Sequence, residues 1–221
     1  MMEAIRLDIS ATARWTGLST FSDRVMEAME IVPRHVFIDN LEPNYAYANR
    51  PAPIGHGQTI SQPYIVALMT ELLALAPEDR VLEIGTGCGY QTAVLAEVAK
   101  YVVSIETIDT LCRTAKQRLD QLGYGQKTKL HHGDGFDGWQ AEAPYDAVIV
   151  TAAPDRIPEQ LVAQLRPGGR MVIPVGPPHG SQMLYRVIRR TDGGYDKTGI
   201  LPVAFVPLLP QNDGSENKDK F

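Results

Sequence analysis

One stretch constrains this chain more than any other: Val81-Leu82-Glu83-Ile84-Gly85-Thr86-Gly87-Cys88-Gly89-Tyr90-Gln91-Thr92-Ala93-Val94-Leu95-Ala96. Its first four residues read as a short buried strand. Three glycines at alternate positions then turn the chain into a helix whose apolar residues are Val94, Leu95 and Val98. Strand, glycine turn and helix in that order open a nucleotide-binding βαβ unit, which commits the chain to an α/β sheet. The glycines let backbone approach a ligand closely, and free N–H groups at the helix start would face it.

The ligand is narrowed by two departures from a dinucleotide fingerprint. Tyr90 stands where the third glycine of G-x-G-x-x-G belongs, so the pattern is G-x-G-x-G. Glu83, two residues before the first glycine, would meet a pyrophosphate as a like charge in a poorly screened crevice. A cation suits it better, and S-adenosylmethionine carries both a sulfonium and an ammonium. Glu106 ends a second apolar strand, Tyr101 to Ile105, where an acid can accept both hydroxyls of a ribose. That acid fixes a nucleoside without choosing between nicotinamide and adenosylmethionine folds.

At 221 residues and 24.3 kDa, one decorated α/β domain is expected over residues 1–210. Within it, an N-terminal helical and substrate-loop region, about 1–76, precedes a cofactor-binding core, about 77–210; the polar residues 211–221 read as a disordered tail. The net charge of −5, without a basic cluster beyond Arg189-Arg190, argues against nucleic acid as a partner. No apolar run approaches the roughly 18 residues a membrane span needs, and no export signal is visible at the start. A cytoplasmic protein is expected. Cys88 and Cys112 suggest neither a disulfide framework nor a zinc site, and Cys88 reads as a small residue that lets the turn close, though a thiol near a helix start could also be activated. The five histidines form no i, i+4 pair, so no metal is expected.

Ser22 can cap a helix with Val25, Met26, Met29 and Val32 at helical spacing, ended by Pro33. Residues 1 to about 20 show no clean period. Gly55-His56-Gly57-Gln58-Thr59-Ile60-Ser61-Gln62-Pro63-Tyr64 then precedes a helix from Pro63 to about Ala76, with Ser61 or Gln62 at or beside its cap. Capping alone would explain a serine there. A helix from Asp109 to Leu122 follows Glu106, and a strand from Lys127 ends in His131-His132-Gly133-Asp134-Gly135. Asp134 could accept from an adenine amino group while Gly135 leaves room for the ring; Asp-Gly is equally a common turn. Tyr145 to Ala153 reads as a buried parallel strand opening at the cofactor crevice, Met171 to Val175 as a fifth, and Gln182 to Arg190 with Lys197 to Leu208 as a closing hairpin.

There is no G-x-S-x-G elbow to make Ser61 a hydrolase nucleophile and no Walker lysine. In methyl transfer, amines and hydroxyls need a base, whereas a carboxylate is already an anion at neutral pH. It needs in-line placement, exclusion of water and a few neutral donors, which a Ser/Thr loop offers.

Val32-Pro33-Arg34 with Phe37, Gly57-Gln58-Thr59-Ile60-Ser61-Gln62-Pro63, the Glu83 to Gly89 turn, His132-Gly133-Asp134-Gly135 and Leu165-Arg166-Pro167-Gly168-Gly169-Arg170 together resemble the protein-L-isoaspartate O-methyltransferase family, from about Ser22 to Leu208. The glycine turn alone would suit any class I methyltransferase; the Thr59-Ile60-Ser61 loop is the more specific mark. The resemblance implies a Rossmann-like, mostly parallel sheet flanked by helices, with an antiparallel C-terminal strand. It also implies methyl transfer from S-adenosyl-L-methionine, leaving S-adenosyl-L-homocysteine, to L-isoaspartyl or D-aspartyl residues of damaged proteins. Separately, a monomer is expected. Ser61 would be catalytic, with His56, Thr59, Ile60 and Ser61 as substrate contacts. Cofactor contacts would be Glu83, Gly85, Thr86, Gly87, Gly89, Glu106, Asp134 and Gly135. Two other readings are a class I methyltransferase for another carboxylate or protein residue, and a module that binds the cofactor without activity.

Overall fold

A computed structural model describes residues 1–39, 42–177 and 180–210, so the expectation of a disordered tail at 211–221 lies outside the described residues. Helix α1 (Met2–Thr16) comes first, in a region whose sequence shows no clean period. It buries Ile5 and Ile9 while exposing Leu7 and Trp15, so only one narrow stripe is apolar on the inside. Gly17, with φ 71, ends it in the left-handed conformation that glycine adopts without a Cβ penalty. Helix α2 (Asp23–Ile31) starts after Ser22, but the Ser22 side chain does not cap it; its hydroxyl and its N–H both donate to the Glu71 carboxylate.

After a 3₁₀ turn over Arg34–Phe37 and the short α3 (Pro43–Ala46), strands β1 (Ala52–Gly55) and β2 (Gln58–Ile60) form a separate antiparallel hairpin. Its tip, Gly55-His56-Gly57, has three consecutive positive φ angles, which explains the two glycines around the histidine. Helix α4 (Pro63–Leu72) is shorter than the expected run to Ala76 and is buried on nearly every side.

The alternation then begins with β3 (Arg80–Ile84), α5 (Tyr90–Val98), β4 (Tyr101–Glu106), α6 (Asp109–Gln121), β5 (Thr128–His132), β6 (Tyr145–Val150) and α7 (Glu159–Ala163). It closes with β7 (Leu165–Val175), β8 (Gln182–Arg189) and β9 (Tyr195–Val203). The seven-stranded sheet has the order β5-β4-β3-β6-β7-β8-β9. β5, β4, β3, β6 and β7 run parallel, and β8 runs antiparallel to both β7 and β9. Strand β7 begins at Leu165, earlier than the expected Met171, because Leu165 pairs with Tyr145 before an irregularity resets the register at Arg170 against Ala147.

Two apolar clusters lie on either face of the sheet. One joins α1, α2, α4 and α5 to Val81, Val102, Ala147 and Val172; the other holds Leu82, Ile84, Val103, Val148 and Val150 with Leu161 and Val162 of α7. β3 and β6 meet at the centre while β4 and β5 run to one side, so the chain reverses its direction of sheet growth between them. In open α/β sheets that reversal leaves a crevice at the carboxyl ends of the strands.

Candidate active site

The crevice lies above the ends of β3, β4 and β6. It is lined by Ile54, Gln58 and Thr59 of the hairpin, by Gly85, Gly87, Glu106, Ile108, Gly135 and Thr151, and by Val206 to Leu209. The Glu106 carboxylate lies on its floor: Oε2 accepts from the Gly87 N–H at 2.7 Å and Oε1 from the Ile108 N–H at 3.0 Å. Each oxygen keeps a second lone-pair direction, so two further hydroxyls can be accepted. Among the described residues no lysine, arginine or histidine lines the crevice. Apolar walls from Ile84, Ile105, Ile108 and Leu208 beside one carboxylate suit a nucleoside with a cationic tail and oppose a pyrophosphate.

Four N–H groups of the glycine turn are already bonded within the chain. Gly85 and Thr86 both donate to the Ile105 carbonyl, Gly87 to Glu106, and Gly89 to the Thr86 carbonyl. Several of the glycines are also required by the chain itself. A Cβ on Gly85 would collide with the Thr151 hydroxyl, and one on Gly135 would come within 2.6 Å of Ile84. Gly135 therefore admits Ile84 and Leu208 where room for a ring was expected.

Glu83 is also placed differently from the expectation. Side chains alternate along a strand, so Glu83 shares a face with Val81 and points toward α5, away from the strand ends. It is fully buried, and its Oε2 accepts from Thr92 at 2.5 Å and from Ser104 at 2.7 Å, while Oε1 has no partner among the described residues. Burial pushes its carboxyl up to about 8, against the two hydroxyl donors, with the charge of Glu106 raising it further. A direct contact between Glu83 and a ligand ammonium in the crevice does not follow from this placement. Asp134 accepts from the Phe136 N–H at 2.8 Å within its own turn, and only its neighbour Gly135 lines the crevice. Cys88 is buried, and its thiol is pushed up to about 11, which agrees with a small packing residue.

Beside the crevice lies a wider cleft of about 590 Å³. Its walls are Asp8 and Thr12 of α1, Thr59, Ser61, Gln62 and Tyr64, Thr151, and the segment Leu201 to Val206. A small cavity bounded by Thr59, Ile60, Ser61, Gly85, Thr86, Gly87 and Thr151 lies between the two. Thr59 and Thr151 line all three spaces, and Ser61 lines the cleft and the cavity. Ser61 is not consumed as a cap: Gln62 is the cap residue of α4, and no side chain bonds there. The Ser61 carbonyl is instead held by the buried Arg34, whose Nη2 donates to it at 2.7 Å while Nε donates to the Ala46 carbonyl at 2.8 Å. The Arg34 guanidinium also lies over the Tyr90 ring, 4.8 Å from its centroid.

His56, expected among the substrate contacts, is exposed at the hairpin tip and meets the Thr110 hydroxyl at 3.0 Å. It lines neither cleft nor crevice; it ties the hairpin to the start of α6 across the crevice. The sequence offers Thr151 only as part of the strand expected to run to Ala153; β6 ends at Val150, and just past that end the Thr151 hydroxyl lies 2.7 Å from the Gly85 carbonyl and 3.0 Å from that of Ile84. Among the described residues no acidic, histidine and cysteine side chains gather as a metal site, and no helix is long and apolar enough to cross a membrane.

Comparisons with known proteins agree with this arrangement. The family profile "Protein-L-isoaspartate(D-aspartate) O-methyltransferase (PCMT)" matches residues 13–213. The chain is 51% identical to Protein-L-isoaspartate O-methyltransferase 2 of Syntrophobacter fumaroxidans, over 94% of this chain and 84% of that one. It is 52% identical to the protein of the same name from Polaromonas sp., over 96% of this chain and 100% of that one. A solved protein-L-isoaspartate O-methyltransferase superposes with a TM-score of 0.81 at 28% identity, covering 96% of this chain and 67% of the other. A Plasmodium falciparum structure, described as a protein-L-isoaspartate O-methyltransferase in complex with S-adenosyl-L-homocysteine, shares the fold with a TM-score of 0.75 at 24% identity, over 94% and 98% of the two chains. The chain belongs to the protein-L-isoaspartate(D-aspartate) O-methyltransferase family and is an S-adenosyl-L-methionine-dependent protein carboxyl methyltransferase.

Proposed function

We propose that the crevice holds the methyl donor, the cleft holds the isoaspartyl peptide, and the methyl group crosses between them beside Thr59, Ser61 and Thr151. The observation that carries this reading is the sharing of Thr59 and Thr151 between crevice, cleft and the cavity that joins them.

When bound, S-adenosyl-L-methionine supplies an electrophilic methyl on a sulfonium. Glu106 would accept the ribose hydroxyls, and the isoleucines around it would flank the base. Gly85, Thr86, Gly87 and Gly89 shape the turn against which the donor lies, while Gly135 lines the crevice wall and Asp134 fixes its turn. Glu83 acts from behind that turn, through Thr92 and Ser104.

The acceptor is the free carboxylate of an L-isoaspartyl residue. With a pKa near 4 it is ionised at neutral pH and needs no general base, which agrees with a cleft that no histidine or lysine lines among the described residues. Ser61 is proposed as the catalytic hydroxyl. It donates to one carboxylate oxygen and aims the other at the methyl group, with Thr59 and Ile60 completing the acceptor loop. A neutral donor orients the nucleophile without quenching it. A peptide seated in the cleft would cover the cavity and exclude water, so that the carboxylate competes with no solvent nucleophile. The ester made in this way collapses to a succinimide by attack of the following backbone nitrogen with loss of methanol, and hydrolysis returns some normal aspartate.

A monomer is proposed as the working unit. Dependence on a donor made inside cells supports action in the cytoplasm. The test is transfer of a tritiated methyl group to an isoaspartyl peptide beside its normal aspartyl twin. Labelling of the first alone is expected; equal labelling of both, or of neither, would overturn the assignment.

A further inference from the structure

Among the described residues, the acceptor cleft carries one formal charge: of those that line it, Asp8 is the sole ionisable group of the aspartate, glutamate, lysine, arginine and histidine types. It comes from α1, four residues before Thr12, which also lines the cleft and whose hydroxyl meets that of Tyr64 at 2.5 Å. One carboxylate oxygen, Oδ2, accepts from Asn49 at 2.8 Å and from Gln62 at 3.1 Å. Asn49 in turn accepts from the Tyr64 N–H at 3.0 Å. Asp8 is therefore fixed in place by neutral amides, which leave its charge uncompensated. Oδ1 has no hydrogen bond among the described residues, and the residue is half-buried at the cleft wall.

We infer that Asp8 is a specificity-determining residue, which makes the cleft favour isoaspartyl sites with a cationic side chain nearby over sites with an anionic one. The substrate's own carboxylate belongs at the hydroxyl end of the cleft, with Thr59, Ser61 and Thr151. Gln62 stands between that end and Asp8, its amide already donated to Asp8. A lysine or arginine flanking the damaged residue meets an unpaired carboxylate oxygen, whereas a flanking aspartate or glutamate meets a like charge with no cation among the described lining residues to offset it. The fixed charge also opposes reversed binding, in which the substrate carboxylate would lie against α1.

This inference rests on the cleft being the acceptor site, so the experiment separates the two. Three isoaspartyl peptides, alike except for Lys, Ala or Glu beside the damaged residue, are methylated by the wild-type chain and by Asp8→Asn, Asp8→Lys and Ala204→Trp. Ala204 is an exposed residue of the cleft wall, far along the chain from α1. The wild type is expected to prefer the Lys peptide over the Glu peptide in kcat/KM by roughly fivefold, the upper end for a partly exposed pair. Asp8→Asn, which keeps an oxygen acceptor for Asn49 and Gln62, should bring the ratio near one, and Asp8→Lys should invert it. Ala204→Trp should raise KM for all three peptides alike. A Lys-to-Glu ratio that Asp8→Asn and Asp8→Lys leave unmoved, or a uniform loss on all three peptides, overturns the role of Asp8 while a working Ala204→Trp block keeps the cleft as the acceptor site. Failure of Ala204→Trp to affect any peptide overturns both.

Discussion

The buried Arg34 guanidinium donates to the main-chain carbonyl of Ser61 at 2.7 Å, which ties the proposed catalytic loop to the 3₁₀ turn after α2. The same group holds the Ala46 carbonyl and lies over Tyr90, so one side chain fixes the loop, the segment before the hairpin and the first residue of α5. Lysine has one donor point in place of a planar fork and cannot reach both carbonyls in the same geometry. Arg34→Lys is expected to lower turnover by about 10–100-fold, the range that a small misplacement of a reacting group costs. Arg34→Ala should also destabilise the fold by about 2–4 kcal/mol, because a buried and a half-buried carbonyl lose their donor. Urea unfolding alongside single-turnover methylation measures both; undiminished turnover in Arg34→Lys would remove the positioning role.

Ser61 is half-buried where cleft and cavity meet. Loss of its hydroxyl should act on orientation of the acceptor, not on the donor. Ser61→Ala is expected to reduce kcat by about 10–100-fold, with donor affinity changed less than about twofold. Equal losses in both quantities would mean that the serine shapes the crevice and not the reaction.

The parts of this molecule that were legible in the sequence are those with a local cause. The β3 strand, its glycine turn and α5 follow one another within 20 residues, and β4 with Glu106 repeats a pattern that needs no tertiary knowledge. Helix α1 was not legible, since its inward stripe is little more than Ile5 and Ile9, while exposed Leu7 and Trp15 blur the period. With α1 went Asp8 and Thr12, which reach the cleft through tertiary packing alone. The placement of Glu83 was hidden for a different reason. Its position two residues before the glycines suggested a ligand, but strand alternation decides which face it takes, and that face is covered by α5. Likewise the bonds that the Gly85, Thr86 and Gly87 N–H groups make to Ile105 and Glu106 could not be known until β4 was in place beside them.

Glu83 gives the fold a pH dependence whose direction is set. Its carboxyl is raised by burial from 4.5 to about 8 in the folded chain, so between those values the folded state holds a proton that the unfolded state has released. The stability this group contributes is complete below about 4.5 and declines as pH rises to about 8. Glu83→Gln presents a neutral side chain of the same shape at every pH. Its melting temperature relative to the wild type should therefore rise steadily from pH 5 to pH 8, measured on the chain without donor. Parallel melting curves across that window would show that Glu83 does not retain its proton.

The Glu106 carboxylate joins the glycine turn to the start of α6, because its two oxygens accept from Gly87 and Ile108. That leaves it rigid and lying on the crevice floor before any donor arrives, so little ordering is needed when the ribose binds. Glu106→Ala is expected to weaken binding of S-adenosyl-L-homocysteine by ~2–4 kcal/mol, the worth of one or two charge-assisted hydrogen bonds. Glu106→Gln keeps an acceptor oxygen but loses the charge, and should fall between the two. Isothermal titration calorimetry measures all three, with circular dichroism to establish that the turn survives. Affinity unchanged in Glu106→Ala would place the ribose elsewhere in the crevice, whereas a graded loss through Gln to Ala ties the nucleoside to the end of β4.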